Sequence, residues 1–216
     1  MPRGLDEALS TRARDALLSA GRPREFRSGE VIFHQGDASD SLYLLHRGMA
    51  AVRTTTSDGN QVTLGLLVAP DEFGEVGLLQ PDHHHTATVV ALESVLVLTV
   101  AAARFAELRT EDPELTDWLL DALVRRLRRT SDLLSDALFL AADARVARRL
   151  LDCSESLDDG HGAALPLTQD DLAAMAGVSR PTANRVLRRL EAQGLVRLGR
   201  RHIKISEPDR LRGLAR

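Results

Sequence analysis

The chain holds a single cysteine, Cys153, among 216 residues. One thiol excludes an internal disulfide, a four-cysteine zinc site and an all-cysteine iron–sulfur cluster within one chain. On a helical stretch it reads as a small buried hydrophobe. No run of about 18 apolar residues occurs, so no membrane span is expected. The N-terminal "MPRGLDEALSTRARDALL" mixes acids with bases and lacks an apolar signal core, which makes the cytoplasm the expected compartment. A Ser-His-Asp pattern, a P-loop and an HExxH motif are also missing, and the histidines have no motif partner. No catalytic residue is therefore assigned and an enzyme is not expected.

What is present suits a globular protein. With 44% apolar residues the chain can bury a core, and its length fits one large or two small domains. The net charge of −3 is unevenly spread. Residues 143–216 carry 14 Arg/Lys against 10 Asp/Glu, a net of +4, which leaves −7 on the first 142. Within that basic end, Arg180, Arg185, Arg188, Arg189, Arg197, Arg200, Arg201 and Lys204 face Glu191 alone. A basic segment on an acidic body points to an anionic partner reached by one end of the molecule.

The pattern of the chain divides it further. Residues 5–20 read as a helix with Leu5, Leu9, Ala13, Ala16 and Leu17 on one face. From Phe26 to about Val100, short β-branched and apolar runs alternate with turns at Gly29, Gly36-Asp37, Gly48, Asp58-Gly59 and Gly74. This predicts an antiparallel β domain, a barrel or roll. After Pro113 a long stretch without Pro or Gly reaches about Asp152. In it Leu120, Leu123, Leu127, Thr130, Leu134, Ala137 and Ala141 recur at alternating spacings of three and four, a heptad seam that predicts pairing of two copies. The alternative is one helix packed on its own β domain. "CSESLDDGHGAALP" reads as a loop.

A compact series of local signals follows. Thr168 with Asp171 three residues on makes a capping-box-like helix start. Gly177 turns the chain. Ser179 caps a second helix with Pro181 in its first turn, where a missing N–H costs little. Gly194 ends it, and "LVRLGRRHIKI" reads as a hairpin around Gly199-Arg200-Arg201. Helix, tight turn, helix and hairpin make a winged helix-turn-helix. Ala173, Ala176, Val178, Val186, Leu187 and Leu190 fall inward, leaving Arg180, Thr182, Asn184, Arg185, Arg188 and Arg189 mostly outward.

Taken together, residues from about 26 to 205 resemble the Crp–Fnr superfamily of bacterial transcription regulators, the cyclic-AMP receptor protein branch most closely. "SGEVIFHQGD" resembles the first β-roll turn and "FGEVGLL…HTATVV" the phosphate-binding cassette. "RRLRRTSDLLSDALFLAADARVARRLL" resembles the dimer helix and hinge, and "LTQDDLAAMAGVSRPTANRVLRRLEAQGLV" the helix-turn-helix signature. The expected fold is α+β. It comprises an N-terminal antiparallel β-roll that binds an effector (residues 1–112), a dimerisation helix (113–141) and a C-terminal winged helix-turn-helix (142–216). The resemblance implies a homodimer on double-stranded DNA, with RNA polymerase as a further partner and no required cofactor.

Carried over residue by residue, the cassette places Gly74, Val76 and neighbouring backbone N–H groups against a nucleotide phosphate. Glu75 accepts from the ribose hydroxyl, and Thr86 donates to the anion. Thr130 and Ser131 match the pair that meets the adenine from both subunits. The chemistry suits these residues, because turn N–H groups cradle anions and a carboxylate accepts hydroxyl donors. The departure is His85, which stands where cyclic-AMP binders keep arginine. Neutral histidine offers one N–H in place of a permanent charge and a bidentate fork, a loss on the order of 2–3 kcal/mol against a buried anion. Three readings stay open: cyclic AMP binding weakly or with His85 protonated, another effector, or none.

The run His83-His84-His85 also raises a metal. In extended chain His83 and His85 share a face that His84 opposes, with Asp82 as the neighbouring acid. A solvated loop and a zinc or nickel site are the competing readings, and no metal ligand is assigned. His34, His46, His161 and His202 read as surface or strand residues. On the DNA side, Arg180 and Arg185 are the expected guanine readers and Asn184 an adenine reader. Thr168, Gln169, Ser179 and Thr182 suit phosphates, as does Arg201 on the wing. Proline at 181, where the family commonly has glutamate, predicts an altered half-site. The rival readings are a cyclic nucleotide-binding subunit that does not act on DNA, and a metal-responsive regulator using the His83–His85 loop.

Overall fold

The protein is described by a computed structural model over residues 8–56, 58–59, 61–80, 82–156 and 164–215. It is the α+β architecture the sequence predicts. The chain forms two compact units, one of residues up to 58 with 65–129, the other of residues 59–64 with 130 onward. The predicted loop residues Gly160, His161 and Gly162, and Leu5 of the first helix, lie outside the described residues.

In chain order, α1 (Thr11–Ala20) leads into β1 (Arg22–Phe26), β2 (Val31–Phe33), β3 (Ser41–Arg47), β4 (Met49–Thr55), β5 (Gln61–Val68) and β6 (Glu72–Phe73). A short helix α2 (Glu75–Leu79), β7 (Thr88–Ala91), β8 (Val95–Ala101) and α3 (Ala102–Glu111) follow, then the long α4 (Glu114–Phe139). Two four-stranded sheets form, in the orders β1-β8-β3-β6 and β2-β7-β4-β5. Side chains alternate along a strand, and β3 shows why "SLYLL" is apolar throughout. Tyr43 and Leu45 enter the core between the sheets with Phe26, Phe33, Phe73 and Val97. Leu42 and Leu44 face the other way, into a second core. There they meet Ala13 and Leu17 of α1, Phe105 and Leu108 of α3, and Leu115, Trp118 and Leu119 of α4. Ser10 caps α1 by accepting from the Ala13 N–H.

In the second unit α5 (Ala142–Ser156) begins two residues after α4 ends. Neither Pro nor Gly marks that break. The segment read as a loop is in part structured: residues 153–156 complete α5, and β9 (Ala164–Leu165) pairs with the wing. The helix-turn-helix is α6 (Gln169–Ala176) and α7 (Arg180–Ala192), joined at Gly177 in the left-handed region, φ 59°. Both N-terminal caps are as predicted: Thr168 and Asp171 form the capping box, and Ser179 accepts from the Thr182 N–H. The wing is β10 (Val196–Gly199) and β11 (His202–Ile205). A closing helix α8 (Pro208–Leu214), absent from the sequence reading, packs on α5 and buries Leu211. Its seven residues are too few to show a clear helical period.

Candidate functional site

The cassette is built by the turn between β6 and α2. Gly74 has φ 89°, and a Cβ there would stand 2.7 Å from the Tyr43 ring and 3.1 Å from the Ser41 carbonyl oxygen. Both the backbone conformation and the space demand glycine. The turn drives Glu75 inward until it is 2% exposed. There it pairs with Arg126 of α4, whose second nitrogen donates to the Glu72 carbonyl oxygen at 3.4 Å. Arg125 pairs with Glu72 at 3.1 Å, and Arg129 donates to the Leu66 carbonyl oxygen at 3.3 Å. A row of arginines on one helix thus meets carboxylates of one turn. Burial lifts the carboxyls of Asp71, Glu72 and Glu75 above their ordinary range, and the arginines pull the other way. Glu75 Oε2 is buried with no hydrogen-bond partner among the described residues. Such an atom costs on the order of 1–3 kcal/mol until a donor reaches it.

Sequence reasoning missed Arg126. The signal was available in the complementary spacing of "DEFGE" and "RRLRR", but the two lie some fifty positions apart. Val76 is half-buried in α2 and Thr86 is exposed. Thr130 and Ser131 are exposed on α4 in the second unit.

The histidine run does not follow the predicted alternation. His83 takes φ 49°, which breaks the extended geometry, and His84 makes an isolated bridge to Ala38. His83 and His84 are both exposed, while His85 is 4% exposed. The His85 ring stacks on Phe33 with centroids 3.6 Å apart and planes 7° apart, and Tyr43 lies 6.0 Å away. Its main chain is fixed by the Asp37 carbonyl oxygen and the Gly36 N–H. So His83 and His85 do not share a face, and among the described residues no three His, Cys, Asp or Glu side chains cluster as metal ligands. Burial lowers the His85 pKa from 6.5, with Asp37 and Asp40 opposing.

This sign has a measurable consequence. A lowered histidine pKa contributes stability that is complete above 6.5 and is lost as pH falls through the folded value. The raised carboxylates act oppositely: their contribution is present at low pH and fades as pH rises through their folded values. A His85→Phe variant keeps the ring stack and removes only the first effect. Its stability relative to wild type should rise as pH falls from about 7 to about 5. Urea unfolding at each pH reads it, and a constant difference would contradict the buried neutral ring.

On α4 the exposed apolar side chains are Leu120, Val124, Leu127, Leu134, Leu138 and Phe139. With Ser131, the five from Leu120 to Leu138 run at spacings of four and three, and Leu120, Leu127 and Leu134 of the predicted seam are among them. Of the predicted seam, Leu123 is half-buried and Leu120, Leu127, Thr130, Leu134, Ala137 and Ala141 are exposed.

The second unit carries the basic face. Arg180, Arg185, Arg188 and Arg189 are exposed on α7. Arg180 meets Asp170 at 2.9 Å, and Arg189 meets Asp143 at 2.6 Å. Asn184 donates to Gln169 at 2.5 Å. Thr168, Ser179 and Thr182, expected at phosphates, use their hydroxyls in the helix caps. A groove of about 380 Å³ runs between the start of α6, Arg180 and the wing residues Arg201 and His202. Arg201 forms the wing turn with φ 62°. This face can straddle an anionic rod, with caps and positive charge at its centre.

Comparison with known proteins parallels this division. The cyclic nucleotide-binding domain model matches residues 23–112, and the Crp-like helix-turn-helix domain model matches residues 144–214. The chain is 30% identical to the CRP-like cAMP-activated global transcriptional regulator of Mycobacterium tuberculosis, over 99% of this chain and 96% of that protein. It is 35% identical to the cyclic AMP receptor protein of Thermus thermophilus, over 93% and 91%. The structure of the c-di-GMP responsive global regulator CLP of Xanthomonas campestris is similar in fold, with a TM-score of 0.78 at 22% identity, over 91% of this chain and 99% of that one.

Proposed function

We propose, from the premise that this chain belongs to the Crp–Fnr superfamily of transcription regulators, that it acts as a homodimer on a two-fold symmetric DNA site and that its cassette takes a cyclic nucleotide or a related small effector. The family is not one of enzymes. The division of labour follows the chain: residues 1–112 sense, 113–141 pair, and 142–216 bind DNA.

The observation that carries this reading is the outer face of α7. Its capped start, its exposed Arg180 and Arg185 and the adjoining groove suit a recognition helix whose N-terminal residues enter the major groove. Arg201 on the wing suits a phosphate contact. A cyclic nucleotide-binding subunit that leaves DNA alone has no use for this face. The effector half is supported by Glu75, whose orphan oxygen suits a ligand hydroxyl. Residue 85 supplies no charge in the ring stack it occupies, so the cation of the cassette is Arg126. An effector hydroxyl that engages Glu75 through Oε2 leaves the Oε1 pair with Arg126 in place. Histidine rather than arginine at position 85 favours a ligand bound with less cationic help.

Selection of binding sites from random DNA, with and without cyclic nucleotides, tests the reading. The enriched site is a palindrome with half-sites about 34 Å apart. Arg185→Ala removes preference at its base pair while salt-dependent binding to random DNA persists. An asymmetric site, or equal loss on random DNA, would contradict it.

A further inference from the structure

The two helices of the helix-turn-helix are tied together by the side chains expected to meet bases. Asn184 sits on α7 and Gln169 opens α6, 15 positions earlier. Asn184 Nδ2 donates to Gln169 Oε1 at 2.5 Å, and both residues are half-buried. One turn away on the same face, Arg180 pairs with Asp170 at 2.9 Å. The first turn of α6 therefore supplies an acceptor to each of two candidate readers on α7. The Asp170 pair is exposed and is worth little in water. The Gln169 bond is sheltered, short and between neutral groups, and it fixes the plane of the amide.

We infer that Gln169 is a positioning residue for sequence reading: by holding one N–H of Asn184, it fixes the amide so that the operator carries adenine at the base pair Asn184 meets. The inference rests on α7 lying in the major groove. An asparagine amide has two N–H donors and one carbonyl acceptor. With one N–H held by Gln169, a fork of one donor and one acceptor remains. Adenine presents the complement of that fork, an N6 amino donor beside the N7 acceptor. Guanine presents two acceptors, O6 and N7, so Oδ1 would face an oxygen. Cytosine offers only the N4 donor, and thymine offers an acceptor and a methyl group. A free asparagine could turn its amide by half a rotation to suit other edges. Gln169 withdraws that freedom, which converts a permissive side chain into a selective one.

Binding-site selection on the full-length protein, with and without cyclic AMP, reads the preference position by position. Wild type enriches adenine at one position of each half-site by about 10- to 100-fold over the other bases. Asn184→Ala flattens that position and leaves the rest of the profile. Gln169→Leu also flattens it and leaves the other positions of the profile as in wild type, any loss of affinity being shared by every sequence. Gln169→Glu keeps an acceptor for the Asn184 N–H and so keeps the adenine, although its added negative charge weakens binding to every sequence. This last variant separates positioning from a packing role, because loss of packing would not be rescued selectively. Adenine preference that survives in Gln169→Leu but not in Asn184→Ala overturns the role of Gln169. A profile unchanged in Asn184→Ala overturns the reading of adenine. A wild type that enriches no site would instead bring down the DNA-binding reading on which the inference stands.

Discussion

Replacing Leu127 and Leu134 together by aspartate is expected to leave a folded protein that sediments as a monomer at micromolar concentration and binds the palindromic site at least about 100-fold more weakly. The two leucines are 67% and 61% exposed, and with Leu120, Val124, Leu138 and Phe139 they form one apolar stripe along α4. An exposed stripe of this length on a charged protein marks an interface. Its spacing of four and three is that of a paired-helix seam, which suits the second copy proposed above. Burial of a leucine is worth roughly 1.5–3 kcal/mol, and two-fold symmetry counts each substitution twice. The double variant removes four such contributions and places four carboxylates along the seam. Because both positions are open in the single chain, the fold itself should be spared, which circular dichroism checks. The loss of DNA affinity follows from linkage. Two recognition helices on one dimer bind adjacent half-sites with an effective concentration that separate monomers lack, an advantage on the order of 10²–10⁴ on general grounds. A variant that remains dimeric would place the pairing surface elsewhere than on α4.

The parts of this molecule that were legible in its sequence are those fixed by neighbours in the chain. Thr168 with Asp171, Gly177, and Ser179 with Pro181 each signal a local backbone event, so the helix-turn-helix could be read to within a residue. The turn at Gly74 was legible for the same reason. What was not legible depends on contacts across the fold. Arg126 reaches Glu75 from 51 positions away, and nothing local distinguishes it from Arg125 or Arg128. A shared face for His83 and His85 requires strand alternation to continue through the run. The left-handed backbone at His83 ends that alternation, and the ring then finds Phe33. On α4, Leu123 and Val124 are equally apolar. Only packing against the protein's own core decides which of them stays open.

The same limit hid the buried ion pair at the end of α4, where the second large effect is expected. Asp136 and Arg149 are both buried, and Arg149 bridges from α5 to Asp136 and to Asp152. Truncating one partner of a buried pair is costly because the other is left charged and dry, and the two truncations should differ. Arg149→Ala strands the Asp136 carboxylate, whose remaining cation is Arg148 at 3.7 Å on a half-exposed side chain. Asp136→Ala leaves Arg149 still paired with Asp152 at 2.5 Å. The arginine variant should therefore lose about 3 kcal/mol or more of second-unit stability and the aspartate variant distinctly less. Replacing both by apolar residues, Asp136→Leu with Arg149→Met, removes the desolvation cost together with the attraction and should recover most of the loss. Urea unfolding followed by a probe in the second unit measures all three, provided the two units' transitions are resolved. Equal losses in the two single variants would mean that the pair is solvated and that α5 is held against the end of α4 by its apolar contacts alone. If the order holds, the junction is fixed by charge. Arg145 then extends the same junction to the turn of the helix-turn-helix, since it donates to the Leu140, Ala176 and Gly177 carbonyl oxygens. The end of the pairing helix and the start of the recognition helix would then move as one body.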